Sequence, residues 1–148
     1  MDDAGFMRVA LQLAEEAQER GEVPVGSVVV SDGLVVGRGR NSPISMSDPS
    51  AHAEMLALRE AAATLGNYRL EGATLYSTLE PCVMCAGAIV AARIARVVFG
   101  ARDLRFGGVR SKFRLADAEV LNHQAEVVEG VLGAECAAIM QRFFSARR

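Results

Sequence analysis

The stretch A-T-L-Y-S-T-L-E-P-C-V-M-C-A-G-A-I-V, residues 73–90, decides how this chain is read. Residues 73–79 predict a strand, on their β-branched and aromatic content. Pro81 suits the first turn of a helix, because its missing N–H has no partner there, and that helix is predicted to run to about residue 93. Cys82 and Cys85 stand three apart and so share a helix face. A helix N-terminus favours the thiolate, the form that binds metal. Upstream, His52-Ala53-Glu54 opens a second helical run over 51–65, with Met55, Leu56, Leu58 and Ala62 as its apolar positions. His52, Cys82 and Cys85 make three zinc-type ligands, and three leave a fourth tetrahedral position open for water, as a catalytic zinc needs. Glu54 is then the carboxylate left over to take and return protons. His52 and Glu54 would diverge in mid-helix, so they are expected to converge at the ragged first turn, with two helix N-termini facing one ion.

Each half of the pattern has a plainer reading. A C-x-x-C alone is compatible with a redox pair, and an H-x-E alone recurs by chance. The third cysteine, Cys136, could complete a closed four-ligand structural site, but it lies in an apolar helical run (131–144), which favours a buried small hydrophobe.

The chain has 148 residues, 51% apolar and 23% charged, which is ordinary for a globular protein. One domain of this length buries roughly 70% of its unfolded surface. No apolar run approaches the roughly 20 residues of a membrane span, and the acidic start Met1-Asp2-Asp3 is unlike a secretory signal. Three cysteines, two of them in a metal motif, argue for a reducing compartment and a cytoplasmic location. The net charge of −2 by itself disfavours nucleic-acid binding, yet it is unevenly spread. Residues 1–92 hold 6 basic and 12 acidic side chains, and residues 93–148 hold 10 and 6. Arg102, Arg105, Arg110, Lys112 and Arg114, then Arg142, Arg147 and Arg148, form a basic cluster able to attract phosphates. The plain alternative is a set of scattered, solvated arginines.

Working outward, residues 6–20 predict an amphipathic helix with Phe6, Val9, Ala10, Leu13 and Ala17 on its stripe, stopped by Gly21. Residues 25–30 and 34–38 flank Asp32-Gly33, a hairpin signal. Residues 41–50 read as a loop, 96–100 as a short buried strand, 101–121 as irregular, 125–128 as an edge strand and 131–145 as the closing helix. The expected fold class is α/β: a mixed sheet with helices on both faces, the hairpin antiparallel and the helix-linked strands parallel. The helix after Cys82 is rich in small residues (Ala86, Gly87, Ala88, Ala91, Ala92), which allows close packing on the sheet or on a partner subunit.

Six blocks carry a wider resemblance: Glu22-Val-Pro-Val-Gly, Gly39-Arg-Asn41, 48–54 (D-P-S-A-H-A-E), Asn67-Tyr-Arg-Leu, 78–88 (T-L-E-P-C-V-M-C-A-G-A) and 93–103 (R-I-A-R-V-V-F-G-A-R-D). Nearly the whole chain resembles the bacterial tRNA-specific adenosine deaminases. H-x-E…P-C-x-x-C is itself the known signature of zinc-dependent nucleobase deaminases, shared across the cytidine-deaminase superfamily. The blocks at 67–70 and 97–103 point to the tRNA branch. The resemblance implies a three-layer α/β/α cytidine-deaminase-like fold with a central mixed five-stranded sheet, residues 1–148 forming one CMP/dCMP-type deaminase domain. It implies one Zn2+ per subunit, a homodimer, and hydrolysis of the wobble adenosine of a tRNA anticodon stem-loop to inosine. Carried over by position, His52, Cys82 and Cys85 hold zinc, Glu54 is catalytic, and Asn41 hydrogen-bonds the flipped base. Val25, Ala53, Asp103, Arg105 and Phe144 are the remaining expected substrate contacts.

The chain departs from the family at 104–111, L-R-F-G-G-V-R-S, where Arg105 replaces a common lysine and Phe106 is unexpected. Phe106 either stacks on a base or packs. One of Phe143 and Phe144 is expected in core or dimer packing. Two other functions share the motif: a deaminase of a free base or nucleoside, guanine or cytosine type, and a non-catalytic zinc-binding subunit that positions RNA. The basic bias after residue 93 disfavours the first, and Glu54 the second.

Overall fold

The computed structural model describes residues 1–147; Arg148 of the basic cluster lies outside them. In order, the elements are α1 (Asp3–Glu19), β1 (Gly26–Ser31), β2 (Leu34–Arg40), α2 (Pro43–Met46), α3 (Ala53–Leu65), β3 (Thr74–Leu79), α4 (Val83–Ala91), β4 (Arg96–Ala101), β5 (Glu126–Glu129) and α5 (Gly133–Ser145). The five strands form one sheet in the order β2-β1-β3-β4-β5. β1 is antiparallel to both β2 and β3, whereas β3–β4 and β4–β5 are parallel. This is the expected mixed five-stranded sheet of a three-layer α/β/α fold.

Strand alternation divides the core. Val29, Leu75, Val97 and Phe99 face α3 and α4. Val28, Val30, Tyr76 and Val98 face α1 and α5. Burying one such side chain contributes about 1.5–3 kcal/mol. Glycines set how closely the helices approach. A Cβ on Gly26 would meet the α1 backbone at Ala10 and Ala14, and one on Gly37 or Gly39 would meet α3 at Ala57 or Ala53. The helices answer with alanine, so the packed seam of α1 is Phe6, Met7, Ala10, Ala14 and Ala17, with Val9 and Leu13 only half-buried. The same holds for α3: Ala53, Glu54, Ala57, Leu58 and Ala61 are buried. Of the expected apolar positions there only Leu58 is buried, because the strand glycines accept alanine and exclude larger side chains.

Two local expectations are corrected and a third holds. The segment 41–50 contains α2, because the buried Glu22 carboxylate accepts from the N–H groups of Ile44 (3.2 Å) and Ser45 (2.8 Å) and caps it. Pro81 stands before the α4 cap and not in its first turn: Cys82 is the N-cap. Cys136 is fully buried with Gly100 against its side chain, as the small-hydrophobe reading expects, and it joins no metal-ligating cluster among the described residues.

Candidate active site

One edge of the sheet collects every chemically important segment. β3 and β4 end there, at Leu79 and Ala101. β1 runs the opposite way, so Val25, just before it, reaches the same edge. Asn41, just after β2, does too, and its N–H donates to the Val25 carbonyl at 3.0 Å. The crevice outside the carboxyl ends of parallel strands is the usual ligand site of an α/β sheet. Here it is a cavity of about 990 Å3, lined by Val25, Asn41, His52, Glu54, Cys82, Asp103, Arg105, Phe106 and Phe144 among others.

Helix starts solve the spacing problem of His52 and Glu54. His52 is the α3 N-cap, with extended backbone (φ −72°, ψ 151°), while Glu54 already lies in the first turn. The break in periodicity at the cap lets both reach one site. Cys82 is likewise extended at the α4 cap, with Cys85 in the first turn. The His52 Nδ1 lies 3.5 Å from the Cys82 Sγ and 3.6 Å from the Cys85 Sγ, and all three ligand atoms fall within 4.8 Å of one another. Tetrahedral zinc with ordinary Zn–S and Zn–N bonds separates nitrogen from sulfur by about 3.6 Å. The donor set therefore fits zinc in both type and spacing.

The thiols are unequal. Cys82 is held down to about 4, first by the hydrogen bond from the Cys85 thiol and then by His52. The same contact, followed by burial, pushes Cys85 up. The contact thus favours the thiolate on Cys82 over Cys85, and metal binding would displace any remaining thiol proton. Glu54 is 4% exposed. Burial pushes it up to about 7, against the lowering effect of hydrogen bonding and of His52. A carboxyl raised towards the working pH can both take and give a proton.

Two carboxylates that the sequence reading does not single out shape the walls. Glu22 caps α2 and so carries the chain after Asn41. Glu80 sits between the end of β3 and Pro81, 2% exposed. It accepts from the N–H groups of Asp103 (3.1 Å), Val109 (3.1 Å), Arg110 (2.7 Å) and Ser111 (2.9 Å), and from the Ser111 hydroxyl. Burial alone would raise its carboxyl, but these donors, Ser111 and Arg110 foremost, hold it below the usual range. The 102–114 loop is therefore tied down from within. Gly108 N–H also donates to the Pro81 carbonyl at 2.8 Å, and Gly107 bridges to Cys82. The only sequence signal for Glu80 is a carboxylate placed directly after an apolar strand.

The expected contacts divide. Ala53 is fully buried, its carbonyl against Gly39, and does not line the cavity. Asp103 lines it but spends its carboxylate on the N–H groups of Arg105 and Phe106, both at 3.1 Å. Phe143 is in the core and Phe144, 48% exposed, lines the cavity. The basic cluster is smaller than its composition suggests. Arg102 pairs with Glu129 (3.0 Å) and Arg110 with Asp117 (2.9 Å). Arg147 folds onto the Phe143 ring and carbonyl. Arg105, Lys112, Arg114 and Arg142 have no ion pair among the described residues.

Residues 1–101 match the family described as the cytidine and deoxycytidylate deaminase zinc-binding region. The chain is 50% identical over 147 residues to the tRNA-specific adenosine deaminase of Haemophilus influenzae, covering 99% of this chain and 85% of the relative. It superimposes with a TM-score of 0.88, at 45% identity, on a solved structure from work on A-to-I editing by tRNA:A34 deaminases at the wobble position of transfer RNA; 91% of this chain and 98% of that one are covered. A Bacillus subtilis guanine deaminase structure matches less well, with a TM-score of 0.66, 40% identity, and 69% and 66% covered.

Proposed function

The chain belongs to the cytidine and deoxycytidylate deaminase zinc-binding family, and on that premise we propose that it hydrolyses adenosine to inosine at the wobble position of tRNA, releasing ammonia. The observation that carries the reading is the joining of two features in one cavity. The His52, Cys82 and Cys85 cluster with Glu54 lies in the same cavity as the Arg105–Phe106 loop. A free base needs the first feature only.

His52, Cys82 and Cys85 hold zinc, which when bound supplies the Lewis acidity that makes water a nucleophile near neutral pH. Glu54 moves the protons: it takes one from the attacking water and gives it to the ring N1, then takes the proton of the new C6 hydroxyl and gives it to the amine, which leaves as ammonia. Its burial keeps bulk water from competing for that exchange. The Asn41 amide hydrogen-bonds the base, and Val25 packs beside it. A loop nucleotide costs less to extrude than a paired one, so an anticodon loop suits a recessed site.

Residues 1–148 act as one deaminase domain; β5 and α5 lie beyond the matched family region, yet they complete the sheet and bring Phe144 to the cavity. The working form is a homodimer. Support comes from α4, whose small-residue face carries the exposed Val83 (48%) and Met84 (37%). Sedimentation at the mass of one chain would sink this. No helix among the described residues is long and apolar enough to cross a membrane, and free thiols suit the cytoplasm.

The deciding experiment gives the protein an anticodon stem-loop with adenosine at the wobble position and, separately, free adenosine, cytidine, cytosine and guanine. Inosine from the stem-loop alone is expected. Ammonia from a free base or nucleoside alone would reject the RNA substrate and keep the zinc chemistry.

A further inference from the structure

We propose that Phe106 and Arg105 form a stacking platform for a nucleobase of the RNA loop next to the adenosine that is turned over. This rests on the tRNA reading above and names a contact within it.

Phe106 is 61% exposed. Single exposed apolar residues are common and mean little by themselves. This one is held in place from three directions. The Asp103 carboxylate receives the N–H groups of Arg105 and Phe106. Gly107 N–H closes the turn on the Asp103 carbonyl at 2.9 Å. Behind them Gly107 rests on the Glu80 carboxylate and Gly108 on the start of α4, so close that a Cβ at Gly108 would lie 2.8 Å from the Val83 nitrogen. A ring mounted on a loop this constrained loses little freedom when something stacks on it.

The Arg105 guanidinium lies 5.3 Å from the Phe106 ring centroid. It faces the ring as a cation–π partner, and with no carboxylate paired to it, it stays available to a phosphate. Both side chains line the cavity that holds His52 and Glu54, and Phe144 lines it as well. At about 990 Å3 this cavity is at the top of the range for small-molecule sites, roughly 300–1,000 Å3. One nucleoside leaves room for a neighbour. Single-stranded RNA is read by splayed bases stacked on aromatic rings and arginine planes, with phosphates taken by nearby cations. Phe106, Arg105 and the cavity supply those parts together.

The test uses the full-length zinc-loaded protein on the wobble-adenosine stem-loop. Phe106→Ala is expected to raise KM about tenfold, the order of one lost base stack, with zinc content and Tm unchanged. Phe106→Trp is expected to restore the KM. A stem-loop made abasic at a nucleotide flanking the target should penalise the wild type by the same factor and add nothing to Phe106→Ala. The platform is overturned by an unchanged KM in Phe106→Ala, by penalties that multiply in full, or by a dimer that dissociates on Phe106→Ala with KM unchanged, which would make Phe106 a contact between copies. If the wild type ignores the stem-loop altogether, the RNA reading fails first and the platform with it; turnover by the wild type separates the two failures.

Discussion

The Glu80 carboxylate accepts the main-chain N–H of Arg110 at 2.7 Å, and three further N–H groups and the Ser111 hydroxyl converge on the same side chain. A buried carboxylate surrounded only by donors acts as an anchor. Five groups from a loop otherwise without regular structure find their partner in it. Glu80→Ala leaves several buried donors unmatched and is expected to cost about 3 kcal/mol. Glu80→Gln turns an NH2 towards donors and should also destabilise. Chemical denaturation reads the loss, and limited proteolysis should cut first within 102–114. A variant as stable and as resistant as the wild type would refute the anchor role.

Arg105 and Arg110, five residues apart, are expected to behave differently. Arg110 is bound to Asp117 at 3.0 and 2.9 Å with its side chain 14% exposed, whereas Arg105 has no ion pair among the described residues. Arg105→Ala should weaken stem-loop binding and make the salt dependence shallower by about 0.7 in the log–log slope, one phosphate contact. Arg110→Ala should lower Tm and leave the slope alone. Binding titrations across a salt series read both, and equal slopes in wild type and Arg105→Ala would remove the phosphate contact.

Glu54→Ala is expected to keep the fold and about one zinc per chain while losing turnover by 10²- to 10⁴-fold or more. Metal analysis beside a deamination assay measures both. Chelation of the wild type should abolish activity, with zinc restoring it, because the three ligands supply the site and Cys136 is buried elsewhere. Retained activity in Glu54→Ala would end the proton-shuttle role.

Asp3 links the first turn of α1 to the sheet. Its carboxylate accepts from the Arg96 guanidinium at 2.9 Å and the Tyr76 hydroxyl at 2.6 Å, and these bonds hold its carboxyl below the ordinary range. A group with a depressed folded pKa stabilises above its unfolded value of about 4, and that contribution fades as pH falls through the folded one. Asp3→Asn should therefore be less stable than the wild type at pH 7, with the two converging in strong acid. A stability difference that stays constant down to pH 2 would contradict the linkage.

Much of the architecture was legible because it rests on local rules. The hairpin at Asp32-Gly33, the strand over 73–79, the helices at 53–65 and 133–145 and the edge strand near 126–129 follow from turn chemistry and periodicity. The seams of α1 and α3 were read less well. A pattern of large apolar residues suggests Val9, Leu13, Met55 and Leu56 as core, but the packing distance is set by Gly26, Gly37 and Gly39 on β1 and β2, outside the helices' own periodicity. Only alanine fits opposite them.

Ligand identity is chemical, so the three zinc-type side chains and their spare carboxylate could be named from residues 52–54 and 81–85 alone. Which charges remain free is a matter of neighbours. Composition counts Arg102, Arg110 and Arg105 alike, and only folding brings Glu129 and Asp117 against the first two. In the same way nothing local marks Glu80 as the anchor of a loop more than twenty residues later, since its donors arrive only when β4 lies down beside β3. The metal chemistry was therefore determined by residue type at fixed short spacing. Which charges stay accessible was decided by tertiary pairing, which consumes Arg102 and Arg110 and leaves Arg105 and Phe106 lining the cavity.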